Sequence, residues 1–117
     1  MIFAYILDDA DNPVATGDVL AWAKWMEDAW RSGRTRVAQD TVGDIRVSTV
    51  FLGLDHGAPW DPEAVPILYE TMVFGGQLDR IQMRYPTRAF AVAGHAIMVE
   101  RVRAMEMAVT DEKGEES

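Results

Sequence analysis

The chain has 117 residues, of which 49% are hydrophobic, and it carries a formal net charge of −8 and no cysteine. This length corresponds to one domain, and the apolar content excludes a disordered chain. The lack of cysteine excludes a disulfide scaffold, a thiolate zinc site and a cysteine nucleophile. The net negative charge argues against nonspecific nucleic-acid binding, because neutralising phosphates requires a basic face.

The sequence predicts a cytoplasmic protein that does not enter a membrane. No run approaches the roughly 20 apolar residues that span a bilayer. The N-terminus, MIFAYILDDAD, has no basic region and no small-residue cleavage site of the kind found in signal peptides. At the other end, TDEKGEES carries four acids and one lysine, which is −3 of the −8. We therefore predict a single domain at 1–109 and an acidic disordered tail at 110–117.

The first half of the chain predicts a strand, a helix and a hairpin. Residues 2–7 form the strand, Asn12-Pro13 is a turn, and residues 14–16 return as a short strand. A helix runs from about 18 to 31, with Thr16 or Asp18 as its cap. Its apolar stripe comprises Val19, Trp22, Ala23, Met26, Ala29 and Trp30, with Trp25 at the edge of the stripe. The hairpin then pairs strand 35–42 with strand 45–54.

The second half predicts two further strands and a second helix. Strands 67–74 and 80–85 follow the loop at 55–66, and Thr87 caps a helix that reaches about residue 108. The residues assigned to its apolar face are Phe90, Ala93, Gly94, Ile97, Met98, Ala104 and Met105. Because glycine costs about 1 kcal/mol inside a helix, we expect Gly94 to allow a close approach to the sheet.

These elements predict an α+β fold. The connections between the last four strands are too short for parallel crossovers, so the strands form an antiparallel β-meander. The predicted architecture is a meander of four to five strands packed with two α-helices.

The central strand 45–54 is apolar on both of its alternating faces. Val47 and Phe51 point one way, whereas Val50, Leu52 and Leu54 point the other way. A sheet with one solvated face alternates apolar and polar residues, so both faces are expected to be covered. Either the two helices flank opposite faces or one face meets another chain. We favour a homodimer, because Val92 and Val99 also lie opposite the main stripe of the second helix.

Glu70 is the first candidate for a functional side chain. Closing the loop at 55–66 predicts that Leu52 lies opposite Glu70, in the middle of a strand, and that Arg84 and Tyr85 lie near it on the next strand. A buried carboxylate needs a partner. Either Glu70 makes a structural pair with Arg84 or a hydrogen bond to Tyr85, or it is held in a cleft to recognise a ligand or partner.

The two histidines, His56 and His95, are the next candidates. Asp55 and His56 follow a strand end, where the carboxylate is expected to cap the turn at Gly57. The spacings HxxxH, HxH and HExxH are absent, so the sequence predicts no metal site. No GxSxG elbow or phosphate-binding glycine loop is present either, so we predict no catalytic residue and no cofactor.

A basic patch is possible near the end of the first helix, where RSGRTR contains Arg31, Arg34 and Arg36. Such a patch on an acidic protein suits a small anion such as a nucleotide. Ordinary surface arginines are the simpler interpretation.

Three segments together resemble a known group of proteins: VSTVFLGLDH at 47–56, YETMVFGG at 69–76 and RYPTRAFAVAGHAIMV at 84–99. They resemble a family of small acidic proteins encoded by bacteriophages and prophages, and Tyr85, Thr87, Gly94 and His95 match that family's pattern. The resemblance implies a phage setting, and hence the cytoplasm of a host cell, without implying a mechanism. Relatives tend to have an acidic or tryptophan-containing segment after the capping threonine, where this chain has RAFAVA, so a role of that segment is not carried over.

Three hypotheses follow. The favoured one is a non-enzymatic phage accessory protein that binds and inhibits a host protein, such as a component of an antiviral defence system. The second is a protein that sequesters a nucleotide-like ligand at a dimer cleft, and the third is a small hydrolase using Asp55, His56, Glu70 and His95. The ligand- or partner-binding candidates are Trp25, Asp55, His56, Glu70, Arg84, Tyr85 and His95.

Overall fold

The structure, a computed structural model, describes residues 4–115, and for 109–115 it describes the backbone alone. It contains two helices and six strands, which confirms the predicted α+β class. Their bounds in chain order are β1 Ala4–Leu7, β2 Pro13–Thr16, α1 Val19–Arg31, β3 Arg36–Val42, β4 Ile45–Phe51, β5 Tyr69–Phe74, β6 Gln82–Tyr85 and α2 Arg88–Glu115.

The strands form two antiparallel sheets. Strands β3, β4, β5 and β6 are neighbours in that order, which confirms the predicted meander, and β1 pairs with β2 in a separate hairpin. Gly43, at a φ of 59°, supplies the left-handed conformation for the tight turn between β3 and β4. The hairpin is joined to the larger sheet next to Leu54, where the amide of Tyr5 donates to the carbonyl of Gly53 over 2.8 Å.

The register between β4 and β5 differs from the prediction by two residues. Val50, and not Leu52, lies opposite Glu70. The reason is that β4 ends at Phe51, and Gly53 then adopts a φ of 77°, which turns the chain out of the strand early. A shift of two residues keeps every side chain on its original face, so the predicted faces of Val47 and Val50 are unaffected.

Helix α1 begins as predicted. The carboxylate of Asp18 accepts a hydrogen bond from the amide of Ala21 over 3.0 Å, as an N-cap does. Trp22 anchors the helix by donating from its indole nitrogen to the carbonyl of Gly53 over 3.1 Å. The predicted stripe is wrong at its ends, because Val19 is 50% exposed and Trp30 is 74% exposed.

Helix α2 begins after Thr87, whose hydroxyl accepts from the amide of Phe90 over 3.2 Å, as predicted. The helix continues to Glu115, so residues 110–115 extend it; the division of the chain at residue 109 stays a prediction. The residues buried against the sheet are Ala91, Gly94, His95, Met98, Val99 and Val102.

The predicted apolar face of α2 is therefore largely wrong. Phe90 and Ile97 are each 63% exposed and point away from the sheet. Val99, which was predicted to lie opposite the main stripe, is buried in the core. The helix has two apolar stripes at the same spacing, and the period of 3.6 residues does not say which one turns inward.

The core lies on one face of the larger sheet and is divided into two clusters. One cluster joins Ile45, Val47 and Val73 to Met98, Val99 and Val102 of α2. The other joins Phe51 and Tyr69 to Leu7, Leu68 and Ala91. Trp25 of α1 packs edge-on against Phe51 with ring centroids 6.1 Å apart. Both helices therefore pack on the same side, and α1 does not cover the second face.

Candidate functional site

A chain of hydrogen bonds crosses the core between the two apolar clusters. Thr49 of β4 and Thr71 of β5 lie opposite each other with their hydroxyl oxygens 2.5 Å apart. The Nδ1 atom of His95 on α2 is 2.7 Å from the Thr49 hydroxyl, and its Nε2 atom is 2.7 Å from a carboxylate oxygen of Asp40 on β3. We call these four residues the polar chain.

The direction of these hydrogen bonds follows from the Asp40 end of the polar chain. An ionised carboxylate only accepts, so Nε2 of His95 donates to Asp40, and Nδ1 then accepts from the hydroxyl of Thr49. Thr49 in turn accepts from the hydroxyl of Thr71. Every polar atom along the chain from Asp40 to Thr49 is therefore satisfied, which is what burial of such groups requires.

The polar chain links an acid, an imidazole and a hydroxyl in the same order as a hydrolase triad does, but its environment is different. Thr49 and Thr71 are fully buried, at 0% exposure, and His95 is 4% exposed. A nucleophile has to reach a substrate, and the Thr49 hydroxyl lies beneath α2 in the core. Only Asp40, with 54% of its side chain exposed, meets solvent. The polar chain is therefore a structural network.

Three members of the polar chain were missed by the sequence analysis, namely Asp40, Thr49 and Thr71. A signal for the threonines is present in the sequence: they stand at inward positions of strands whose other inward residues, such as Val47 and Val73, are apolar. Two hydroxyls facing one core need a polar partner, and His95 is the one that α2 offers.

Glu70 and Arg84 form the ion pair that was predicted as the structural alternative. Their side chains are 2.9 Å apart across β5 and β6, and 13% of the Glu70 side chain is exposed. The ring of Tyr85 packs against α2 instead, where a Cβ atom on Gly94 would lie 2.2 Å from it. This confirms the predicted close approach at Gly94. The guanidinium of Arg84 is thus already engaged.

Asp55 acts as the predicted turn cap. One of its carboxylate oxygens accepts from the amides of Gly57 over 2.7 Å and Ile67 over 2.9 Å, which closes the loop between β4 and β5. Glu70 lies on the sheet face opposite His95, because it is paired in register with Val50 and not with an inward residue. The structure does not bring Asp55, Glu70 and His95 to one site.

Trp25 is half-buried and serves packing. The guanidinium of Arg34 lies 5.4 Å from the centre of its ring and also donates to the backbone carbonyls of Leu7 and Asp8. These contacts tie α1 to the β1–β2 hairpin. Because Arg31 pairs with Glu27 over 2.7 Å along the helix, the three arginines predicted as a basic patch do not act together.

Comparison of the chain with protein-family models, curated proteins and solved structures gave no match. Within the part of the chain that the structure describes, no three histidine, aspartate or glutamate side chains are grouped closely enough to hold a metal ion. Across the same residues, neither helix is long and apolar enough to cross a membrane.

The outward side of α2 carries several apolar side chains that packing leaves exposed. Phe90 and Ile97 are each 63% exposed, Val92 is 50% exposed and Met107 is 65% exposed. Small residues, Ala93, Ala96 and Ala104, lie between them and are also exposed. We call these seven residues the outer face of α2. Exposed apolar patches of this kind mark interaction sites more often than isolated apolar residues do.

Proposed function

We propose that this protein is a non-enzymatic bacteriophage accessory protein that binds and inhibits a host protein through the outer face of α2. The observation that carries the proposal is the apolar character of that face. Phe90, Val92 and Ile97 lie within two turns of one helix, and none of them contributes to the core of its own chain. Burying them against a partner would remove apolar area from water, at about 25 cal/mol per Å².

The alternatives have weaker support. A hydrolase needs an accessible nucleophile or base, and the only acid–imidazole–hydroxyl arrangement among residues 4–108 is closed off by α2. A ligand-sequestering site built on Arg84, Tyr85 and Glu70 would need a free guanidinium. Arg84 is paired with Glu70, and Tyr85 packs against Gly94.

The chemistry of the surface suggests the chemistry of the partner. The chain is acidic overall, and the sequence after Ala108 adds Asp111, Glu112, Glu115 and Glu116 with a single lysine. We therefore expect a host protein with an apolar groove that is bordered by basic residues, because complementary charge speeds and directs association. The resemblance to phage proteins favours a target in the host cytoplasm, among them a component of an antiviral defence system.

The test compares three forms of the tagged protein in a pull-down from isotope-labelled host lysate. They are the wild type, the double variant Phe90→Glu/Ile97→Glu and the control Leu20→Glu. Leu20 is 82% exposed on α1 and carries the same change outside the outer face. We expect the wild type and Leu20→Glu to enrich the same host protein in stoichiometric amount, and the double variant to lose it. One molar equivalent should then inhibit that protein when it is purified.

Two results would overturn the proposal. One is a host protein that the double variant captures as well as the wild type does, provided that both melt at similar temperatures. The other is turnover of a substrate by the isolated protein without any partner.

A further inference from the structure

A basin of about 170 Å³ lies on the opposite side of the sheet from α2. Its lining includes Trp30 from α1, Thr35 and Arg36 at the start of β3, Arg46 and Ser48 of β4, and Phe74 of β5. The sheet face is open here, because both helices pack against the other face. We call this feature the sheet basin.

Two arginines of the sheet basin have no carboxylate partner. Arg31, Arg34 and Arg84 each pair with an acid, whereas Arg36 and Arg46 make no ion pair within the part of the chain that the structure describes. Two guanidinium groups at one concavity provide fork-shaped donors that fit a phosphate or a carboxylate.

Two side chains with hydroxyl groups also line the sheet basin. Thr35, just before β3, brings one of them to the wall of the basin. A hydroxyl in this position can donate a hydrogen bond to an anionic group. Ser48, on the next strand, brings a second hydroxyl to the same wall.

Two aromatic side chains, Trp30 and Phe74, also line the sheet basin. The guanidinium of Arg46 lies 4.5 Å from the centre of the Phe74 ring, which holds the arginine over the sheet. Trp30 of α1 is 74% exposed. Flat apolar surfaces beside convergent polar groups are the usual composition of a small-molecule site.

We propose that the sheet basin binds a small organic anion that carries a flat ring. Arg36 and Arg46 hold the anionic group, the hydroxyls of Thr35 and Ser48 donate to it, and Trp30 and Phe74 contact the ring. The site is separate from the outer face of α2, so this proposal is tested independently of the host-protein proposal. A phosphate ester and a carboxylate share this chemistry, and the experiment distinguishes them.

The test is calorimetric titration of the full-length protein with matched probes. Nucleoside monophosphates and aromatic carboxylates carry both ring and anion, adenosine carries the ring alone, and ribose 5-phosphate and inorganic phosphate carry the anion alone. We expect saturable one-to-one binding of at least one ring-bearing anion, and binding about tenfold weaker for probes that lack either part. Comparing the phosphate and carboxylate probes identifies the anionic group.

Matched variants assign the binding to the sheet basin. Arg36→Gln and Arg46→Gln should each weaken the affinity about tenfold, as expected for a lost charge-assisted hydrogen bond. Arg31→Gln removes the same charge from a side chain that is 69% exposed and outside the basin, and it should bind like the wild type. If Arg46→Gln fails to fold, Arg36→Gln carries the comparison. Binding that survives both basin variants, equal weakening by Arg31→Gln, or no binding of any ring-bearing anion would each overturn the proposal.

Discussion

Tyr69 is the one side chain among the described residues that has a buried polar atom without a partner. It is 0% exposed, and its hydroxyl makes no hydrogen bond. Burial raises the pKa of Tyr69 above its usual value of 10.0, because the core disfavours the phenolate; the positive charge of Arg88 lowers it in part, and Asp11 raises it further. The aromatic ring stabilises the fold, whereas burying its unpaired hydroxyl lowers the free energy of unfolding.

Substitution of Tyr69 by Phe should therefore leave the free energy of unfolding at pH 7 unchanged or slightly raised. The same substitution at a hydrogen-bonded tyrosine costs about 1 kcal/mol. Urea denaturation followed by circular dichroism measures the difference, with Tyr5→Phe as the matched control on β1. A loss of more than about 1 kcal/mol at Tyr69 would mean that its hydroxyl has a partner.

The raised pKa of Tyr69 also predicts how stability depends on alkaline pH. Above pH 10.0, the unfolded tyrosine loses its proton while the folded one keeps it, so the folded state binds more protons. The free energy of unfolding must then fall as the pH rises past that point, and below it this group has no effect. We expect the fall to be smaller in Tyr69→Phe, as measured by urea denaturation between about pH 9 and pH 11. Equal slopes in the two proteins would contradict the expectation.

The polar chain makes a prediction about coupling between residues. Thr49→Val leaves Nδ1 of His95 and the hydroxyl of Thr71 unsatisfied in the core, so it should cost about 1–3 kcal/mol. In a double-mutant cycle, Thr71→Val should lower stability less in the Thr49→Val background than in the wild type, because its hydrogen-bond partner is already absent. Thr41→Val on the exposed face of β3 is the control and should change stability little. Additive costs would show that the two hydroxyls do not interact.

At the scale of the elements, the sequence predicted hairpins and helix starts well and helix faces poorly. Asp18 and Thr87 cap their helices by local hydrogen bonds that depend on only three or four residues. The inward side of α2 depends instead on what the sheet presents to it. Ile97 and Val99 are both apolar, yet Ile97 is 63% exposed and Val99 is 6% exposed. Local chemistry can be predicted from sequence, whereas a choice between two similar stripes is made by tertiary contacts.

Gly94 tests the packing of α2 on β6. Gly94→Ala gains helix propensity of about 1 kcal/mol, but its Cβ atom would meet the ring of Tyr85. Overpacking of this kind costs about 1–3 kcal/mol, so we expect a net loss of stability in thermal denaturation. In a Tyr85→Ala background the same change should become stabilising. Gly17→Ala, which would meet nothing within 4 Å, is the control. A stabilising Gly94→Ala in the wild-type background would contradict this packing.

At the scale of the whole molecule, the two proposed binding surfaces lie on opposite sides. α2 covers one face of the sheet and presents its own outer face to solvent, while the sheet basin opens on the other side. A ligand in the basin therefore leaves the outer face of α2 accessible. The predicted homodimer stays a prediction. Of the two valines that suggested it, Val92 is exposed and Val99 is buried.

The sequence could indicate a protein without a recognised catalytic motif, but it could not indicate either surface. Trp30 was assigned to the buried stripe of α1, and Phe90 and Ile97 to the buried stripe of α2, because apolar residues at helical spacing normally point inward. Arg36 was grouped with Arg31 and Arg34, its neighbours in sequence. Arg46, which shares the basin with it, lies ten residues further along the chain. Such sites arise from strand pairing. The two-residue error in the predicted register of β4 and β5 shows that strand pairing is hard to predict from sequence.

The polar chain has a consequence for how α2 settles on the sheet. A helix with two apolar faces can pack against the sheet in two orientations about its axis, and hydrophobic contact alone does not distinguish them. His95 breaks this symmetry, because only one of the two orientations brings its ring to Asp40 and Thr49. We expect His95→Leu to fold with α2 in two rotational settings. Methyl resonances of Ile97 should then show contacts to Val47 and Val73 that the wild type lacks. The hydrogen bonds of the His95 imidazole therefore select one orientation of α2 on the sheet.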